Sequence, residues 1–162
     1  MTKIFAESEV TLAGLEAHIR DSGLVPHKVQ ADGIWVRSQQ GLGFRVSIIE
    51  GRKFIRIGTY LPLNRLASIE QKWELARQLN QEVFLPVFGL DDDADLTVCY
   101  VLPYAHGLIV ENLISVLNRF ASLLEYIVQS YNGDGLIDFG TSATASNTAG
   151  SETGSASGEL LH

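Results

Sequence analysis

The sequence predicts an α+β domain in which helices cover one face of an antiparallel sheet, with its elements in the order αβββαββα. Two observations carry that expectation. Between Ile34 and Leu61 apolar and polar residues alternate on both sides of the turn Glu50-Gly51-Arg52-Lys53, as in strands with one buried face. Before and after that stretch the apolar residues recur every three or four positions, the spacing of helices that need such a surface to cover.

The totals bound the answer. A chain of 162 residues holds one domain with a full core and leaves no room for two unless both are minimal. With 46% hydrophobic and 19% charged residues the composition is that of a soluble globular protein. No apolar run reaches the roughly 18 to 20 residues of a spanning helix, so no membrane partner is expected. The start, Met1 to Glu7, lacks a long apolar stretch and soon turns acidic, which favours a cytoplasmic protein. A net charge of −7 argues against nonspecific nucleic-acid binding, which needs a phosphate-neutralising surface. Asp134, Asp138, Glu152 and Glu159 carry much of it, leaving the body nearly balanced. The lone cysteine, Cys99, excludes an internal disulfide and a zinc quartet, and its apolar strand predicts a buried, inert thiol.

The first helix is expected from Thr11, an N-cap, to Gly23, with Leu12, Leu15 and Ile19 on its buried side and Glu16 and Arg20 paired on the wet side. His18 has no partner at metal-ligand spacing and reads as a packed or solvated side chain. A weak strand around His27 to Ala31 follows Pro26, then the Asp32-Gly33 turn and a strand from Ile34 to Ser38. A connection Gln39-Gln40-Gly41 with Gly41 left-handed puts Ile34 and Val36 on the core face with Phe44, Val46, Ile48, Ile55, Ile57 and Leu61. Trp35, Arg37, Arg45, Ser47, Arg56, Gly58 and Tyr60 then point outward. Gly41-Leu42-Gly43 opens no helix, so it gathers no amides for a phosphate.

Ser68 and Gln71 form a capping box for a second helix, in which Ile69, Trp73, Ala76, Leu79 and Val83 make the apolar stripe and Trp73 is expected in the core. Strands Leu85 to Leu90 and Leu96 to Leu102 flank the acidic loop Asp91 to Asp95. The loop starts like a calcium-binding EF-hand, but Leu96 stands where that motif needs Gly and Leu102 where it needs Glu. A solvated turn is the reading, and nothing apolar separates the pKa values of its carboxylates for acid and base roles. After Pro103 a long helix runs from about Leu108 to Tyr131, and its broad stripe around Leu113, Leu117, Phe120, Leu124 and Ile127 is wide enough for a second subunit as well as the sheet. Leu136, Ile137 and Phe139 are expected to dock back. The domain is thus assigned to residues 1–140, and residues 141–162, almost wholly Ser, Thr, Ala, Gly and Asn, to a flexible tail.

Three features together resemble a known family: Leu79-Asn80-Gln81-Glu82 in the second helix, the turn Leu90-Asp91-Asp92-Asp93-Ala94-Asp95-Leu96, and Leu102-Pro103 leading into Leu113, Leu117 and Phe120. Over roughly residues 10 to 131 the chain is similar to the YbjN family of bacterial sensory-transduction regulators, related in fold to the type III secretion chaperones. It departs in the acidic turn, where Ala94-Asp95 replaces an expected glycine. The resemblance implies a small, acidic, non-enzymatic and dimeric domain that binds protein, and it carries over no catalytic residue, cofactor or metal.

The residues themselves place the candidate site on the outward sheet face, where Trp35, Arg37, Arg45, Phe54, Arg56 and Tyr60 should cluster as a partner-binding surface. The expected function is a protein-interaction module, regulatory or chaperone-like and homodimeric, with a dedicated secretion chaperone as the variant reading. The competing class is an enzyme, whose least poor candidates are His106 and the Asp91 to Asp95 loop.

Overall fold

Thr11 starts the first helix because its Oγ1 accepts the N–H of Gly14 at 3.1 Å, which satisfies a donor that the helix itself leaves free. The helix, α1 (Leu12–Asp21), ends at Ser22, and Gly23 follows at φ +86°. The computed structural model describes residues 2–138. Phe139 and the expected tail lie outside the described residues. After β1 (Ile4–Phe5) and α1 come β2 (Pro26–Gln30), β3 (Gly33–Arg37), β4 (Gly43–Ile49), β5 (Phe54–Leu61), α2 (Ile69–Glu82), β6 (Val87–Leu90), β7 (Leu96–Pro103), β8 (Leu108–Ile109) and α3 (Val110–Ser130).

Six strands form one antiparallel sheet in the order β2-β3-β4-β5-β7-β6. Gly41 at φ +88° closes the β3–β4 hairpin, and Lys53 at φ +57° closes β4–β5. The register that follows pairs Val36 with Phe44 and Ile48 with Ile55, so Ile34, Val36, Phe44, Val46, Ile55 and Ile57 all point to one side and are fully buried. Leu15 and Ile19 of α1, Ala76 and Leu79 of α2, and Leu113, Leu117, Phe120, Leu124 and Ile127 of α3 share that core. Phe44 and Phe120 meet at its centre with ring centroids 5.3 Å apart. The helices therefore seal one face of the sheet, and no described element covers the other.

The architecture is the expected α+β class, with added pieces. Pro26–Gln30 forms a complete strand, so β2 extends the meander. Leu108–Ile109 pairs with Ile4–Phe5, and the N–H of Val110 reaches the carbonyl of Lys3 at 3.0 Å, which delays the start of α3 by two residues. Leu136 and Ile137 do dock back: both are buried, and Ile137 bridges Leu63.

Trp73 is not a core residue. It is 53% exposed, and Ile69 is 46% exposed, because the arc of α2 that meets the core centres on Lys72, Leu75, Ala76 and Leu79. At 100° per residue Trp73 lies roughly 110° round the helix from that centre. The acidic loop also differs from a solvated turn at one position. Asp91 Oδ1 accepts the N–H groups of Asp93 (3.0 Å) and Asp95 (2.9 Å), as an Asx turn does. Asp95 is buried, where its Oδ1 accepts the N–H of Leu63 at 2.9 Å and its Oδ2 meets Arg65 at 3.2 Å.

Candidate protein-interaction face

The bare side of the sheet is built from alternate residues of five strands. Pairing of Lys28 with Trp35, Trp35 with Arg45, Arg45 with Gly58, and Gly58 with Cys99 sets these residues in one row across β2, β3, β4, β5 and β7. Along β5, Arg56 precedes and Tyr60 follows Gly58 on the same face. Gly58 is therefore a gap in the middle of the face, with Arg45, Cys99, Arg56 and Tyr60 standing around it. The result is a shallow groove of about 340 Å³ whose rim includes Trp35, Ser47, Thr97 and Asp91.

Two arginines enter this groove in different states. Arg45 leans toward the β2–β3 turn, where it donates to the Asp32 carbonyl at 2.9 Å and pairs with the Asp32 carboxylate. It lies so close over Gly33 that a Cβ there would come within 2.5 Å of its Nε. Arg56 is exposed, and its Nε donates to Cys99 Sγ at 3.3 Å. Its two terminal nitrogens have no partner among the described residues.

Of the six residues expected to cluster, the structure brings together Trp35, Arg45, Arg56 and Tyr60. Arg37 lies at the end of β3 and lines a separate hollow of about 560 Å³ with His27, Ser38, Asn118, Ser122 and Glu125. Phe54 is half-buried at the far end of the face, opposite Ile49 and Pro103. Cys99 is a correction: it is part-exposed in the groove, not buried and inert in the core. In β7 the outward Thr97, Cys99 and Val101 are almost as apolar as the inward Leu96, Val98 and Tyr100, so the sequence hid which side was which. Gly58 was placed on the outward face, but its role as the gap depends on neighbours from two other strands.

Nearby titratable groups respond to this layout. His27, exposed and with its ring centroid 6.4 Å from that of Trp35, has its pKa lowered from 6.5 by slight desolvation and then by the charges of Arg37 and Lys28. His106 and the acidic loop sit at opposite ends of β7, roughly 26 Å apart at about 3.3 Å per residue, too far for one catalytic site. The N–H of His106 instead faces Glu7, whose carboxylate is held below its ordinary pKa by the hydrogen bond to Lys53. No group of three or more His, Cys, Asp or Glu is placed to hold a metal among the described residues.

Two solved structures share this fold. The crystal structure of YbjN from E. coli, described as a putative transcription regulator, matches with a TM-score of 0.62 at 14% identity, over 78% of this chain and 95% of that one. The structure of the HopA1–SchA chaperone–effector complex matches with a TM-score of 0.50 at 16% identity, over 70% of this chain and 86% of that one. At such identities the likeness is one of fold. The family is shown by sequence: the pattern described as "Putative bacterial sensory transduction regulator" covers residues 11–129, and the chain belongs to the YbjN family. No curated protein matches the sequence. No helix among the described residues is long and apolar enough to cross a membrane.

Proposed function

We propose that this protein is a non-enzymatic interaction module with a regulatory or chaperone-like role, which holds a protein partner against the open face of its sheet. The observation that carries this reading is the asymmetry of the sheet: one face is sealed by three helices, while the other presents Trp35, Tyr60 and a guanidinium fork of Arg56 that no described residue engages, around the Gly58 backbone. Aromatic and arginine side chains at the centre of a surface supply contact area and charge-assisted bonds to a partner. Arg37 and Phe54 extend the face at its two ends.

In this reading one α+β domain spanning residues 1–140 works in the cytoplasm as a homodimer and needs no cofactor, metal or nucleic acid. A dedicated secretion chaperone is the narrower version, favoured by the likeness to the HopA1–SchA complex, and it differs in serving a single exported client. The test is capture of partners from cell extract by the full chain, at low and high salt, with light scattering on the eluted complex. Arg37, Arg45 and Arg56 changed together to Ser should abolish capture of a defined partner without unfolding the protein. Undiminished capture by the triple variant overturns the site, and a clean monomer overturns the dimer.

A further inference from the structure

We propose that the gap above Gly58 seats the carboxylate of an aspartate or glutamate side chain from an extended acidic segment of the partner. This rests on the reading of the open face as the partner site and adds the chemistry of what it grips. Two arginines, Arg45 and Arg56, line the groove on a chain whose net charge is −7, and Lys28 stands further along the same row. Two carboxylates stand near it, and neither forms an ion pair with Arg56. Asp32 is held by Arg45, and Asp91 accepts the N–H groups of Asp93 and Asp95. Arg56 is thus left without an internal counter-ion among the described residues, with only its Nε engaged by Cys99.

The gap lies beside the Arg56 guanidinium. A Cβ built on Gly58 would stand 3.9 Å from Arg56 Nε and 3.3 Å from the carbonyl oxygen of Val98. An incoming side chain that occupies this space sets its methylene stem against the Val98 carbonyl and turns its carboxylate away from that oxygen toward the guanidinium, with the side chains of Ser47, Tyr60 and Thr97 on the rim. A planar carboxylate matches the two parallel N–H groups of the guanidinium fork. Tyr60, two residues along β5, and Trp35, two strands away on β3, line the same groove and give the segment's adjoining residues apolar surface. The flat sheet accommodates an extended chain, whose alternate side chains point down.

The probes are two blocked decapeptides, one of alternating alanine and glutamate and one of alternating alanine and glutamine, added to the full-length protein near 0.15 M salt. There the Debye length is about 8 Å and long-range repulsion by the acidic body is screened. Binding is read from the Gly58 amide resonance and from Trp35 side-chain resonances. The glutamate peptide should bind at least about tenfold more tightly than the glutamine peptide, as expected for losing a charge-assisted pair. Arg56→Gln should remove that preference, whereas Lys28→Gln, in the same row but outside the groove, should leave most of it.

Equal loss in both variants would mean diffuse attraction and overturn the proposal. Equal binding of the two peptides at Gly58 would also overturn it, while leaving the face as a partner site. If neither peptide shifts these resonances, the carboxylate seat is wrong, and the extract capture then decides the rest. Capture still abolished by the triple arginine variant keeps the face, and undiminished capture removes both.

Discussion

The side-chain amide of Asn80 binds the backbone of Phe88 in both directions. The N–H of Phe88 donates to Asn80 Oδ1, and Asn80 Nδ2 donates to the carbonyl of Phe88, each at 2.9 Å. β6 is an outer strand of the sheet, paired with β7 alone, so Asn80 stands where another strand would add. The opposite edge, β2, starts at Pro26 and carries an irregular register beside it. Both edges are thus blunted against further pairing, which leaves the flat face, not an edge, as the open surface of the sheet.

Asn80→Ala should therefore leave both backbone groups of buried Phe88 without partners. The expected cost is about 1–3 kcal/mol, read as a lower urea midpoint at unchanged m-value. The variant should also associate more readily with rising concentration, because the edge of β6 is opened. An unchanged midpoint would show that solvent replaces the amide at no cost.

The sequence made some of this visible for reasons that can be traced to single residues. Phe44, Val46, Ile55 and Ile57 alternate with Arg45, Ser47, Arg56 and Gly58, and a slip of one residue would bury two arginines, so the register was legible. The capping box of Ser68 and Gln71 is local and formed as read. Trp73 failed because its helical stripe shares Ala76 and Leu79 with the buried one, and only the surface that α2 covers decides between them. The split between Arg45 and Arg56 was equally hidden. It depends on Asp32 reaching Arg45 across a hairpin, while no described residue reaches the fork of Arg56.

Ala94 sits at φ +59°, in the left-handed region where the expected glycine would be unstrained. An L-residue there costs roughly 1–2 kcal/mol, part of which glycine returns through the greater freedom of the unfolded chain. Ala94→Gly should accordingly stabilise the protein by up to about 1 kcal/mol in chemical denaturation. A loss of stability would mean that the Ala94 methyl group, half-buried in the turn, contributes more than the backbone strain takes away.

Asp95 and Arg65 form one ion pair but should respond differently to removal. The Asp95 side chain is 7% exposed and also accepts the N–H of Leu63, whereas the Arg65 side chain is 63% exposed. Asp95→Ala breaks a buried charge-assisted bond and should cost about 1.5–3 kcal/mol. Arg65→Ala removes a solvent-screened contact and should cost about 0–1 kcal/mol. Denaturant titrations of the two variants compare these directly, and a larger loss for Arg65 would show that its bond to the Asp93 carbonyl, at 2.8 Å, holds the loop instead.

His27 links the pH dependence of the fold to the neighbourhood of the open face. Slight desolvation comes first among the causes that lower its pKa from 6.5, followed by Arg37 and Lys28. All three disfavour the imidazolium in the folded state. As pH falls through about 6.5 the unfolded chain takes up a proton that the folded chain still refuses, so stability should decline until the folded pKa is passed. Above that window His27 is neutral in both states and contributes no slope. In an NMR titration the His27 resonance should move at a midpoint below 6.5. Arg37→Gln should raise that midpoint by removing one of the charges that oppose the imidazolium. A midpoint at or above 6.5 in the unaltered protein would show that the Arg37 and Lys28 charges are screened by solvent at this edge of the sheet.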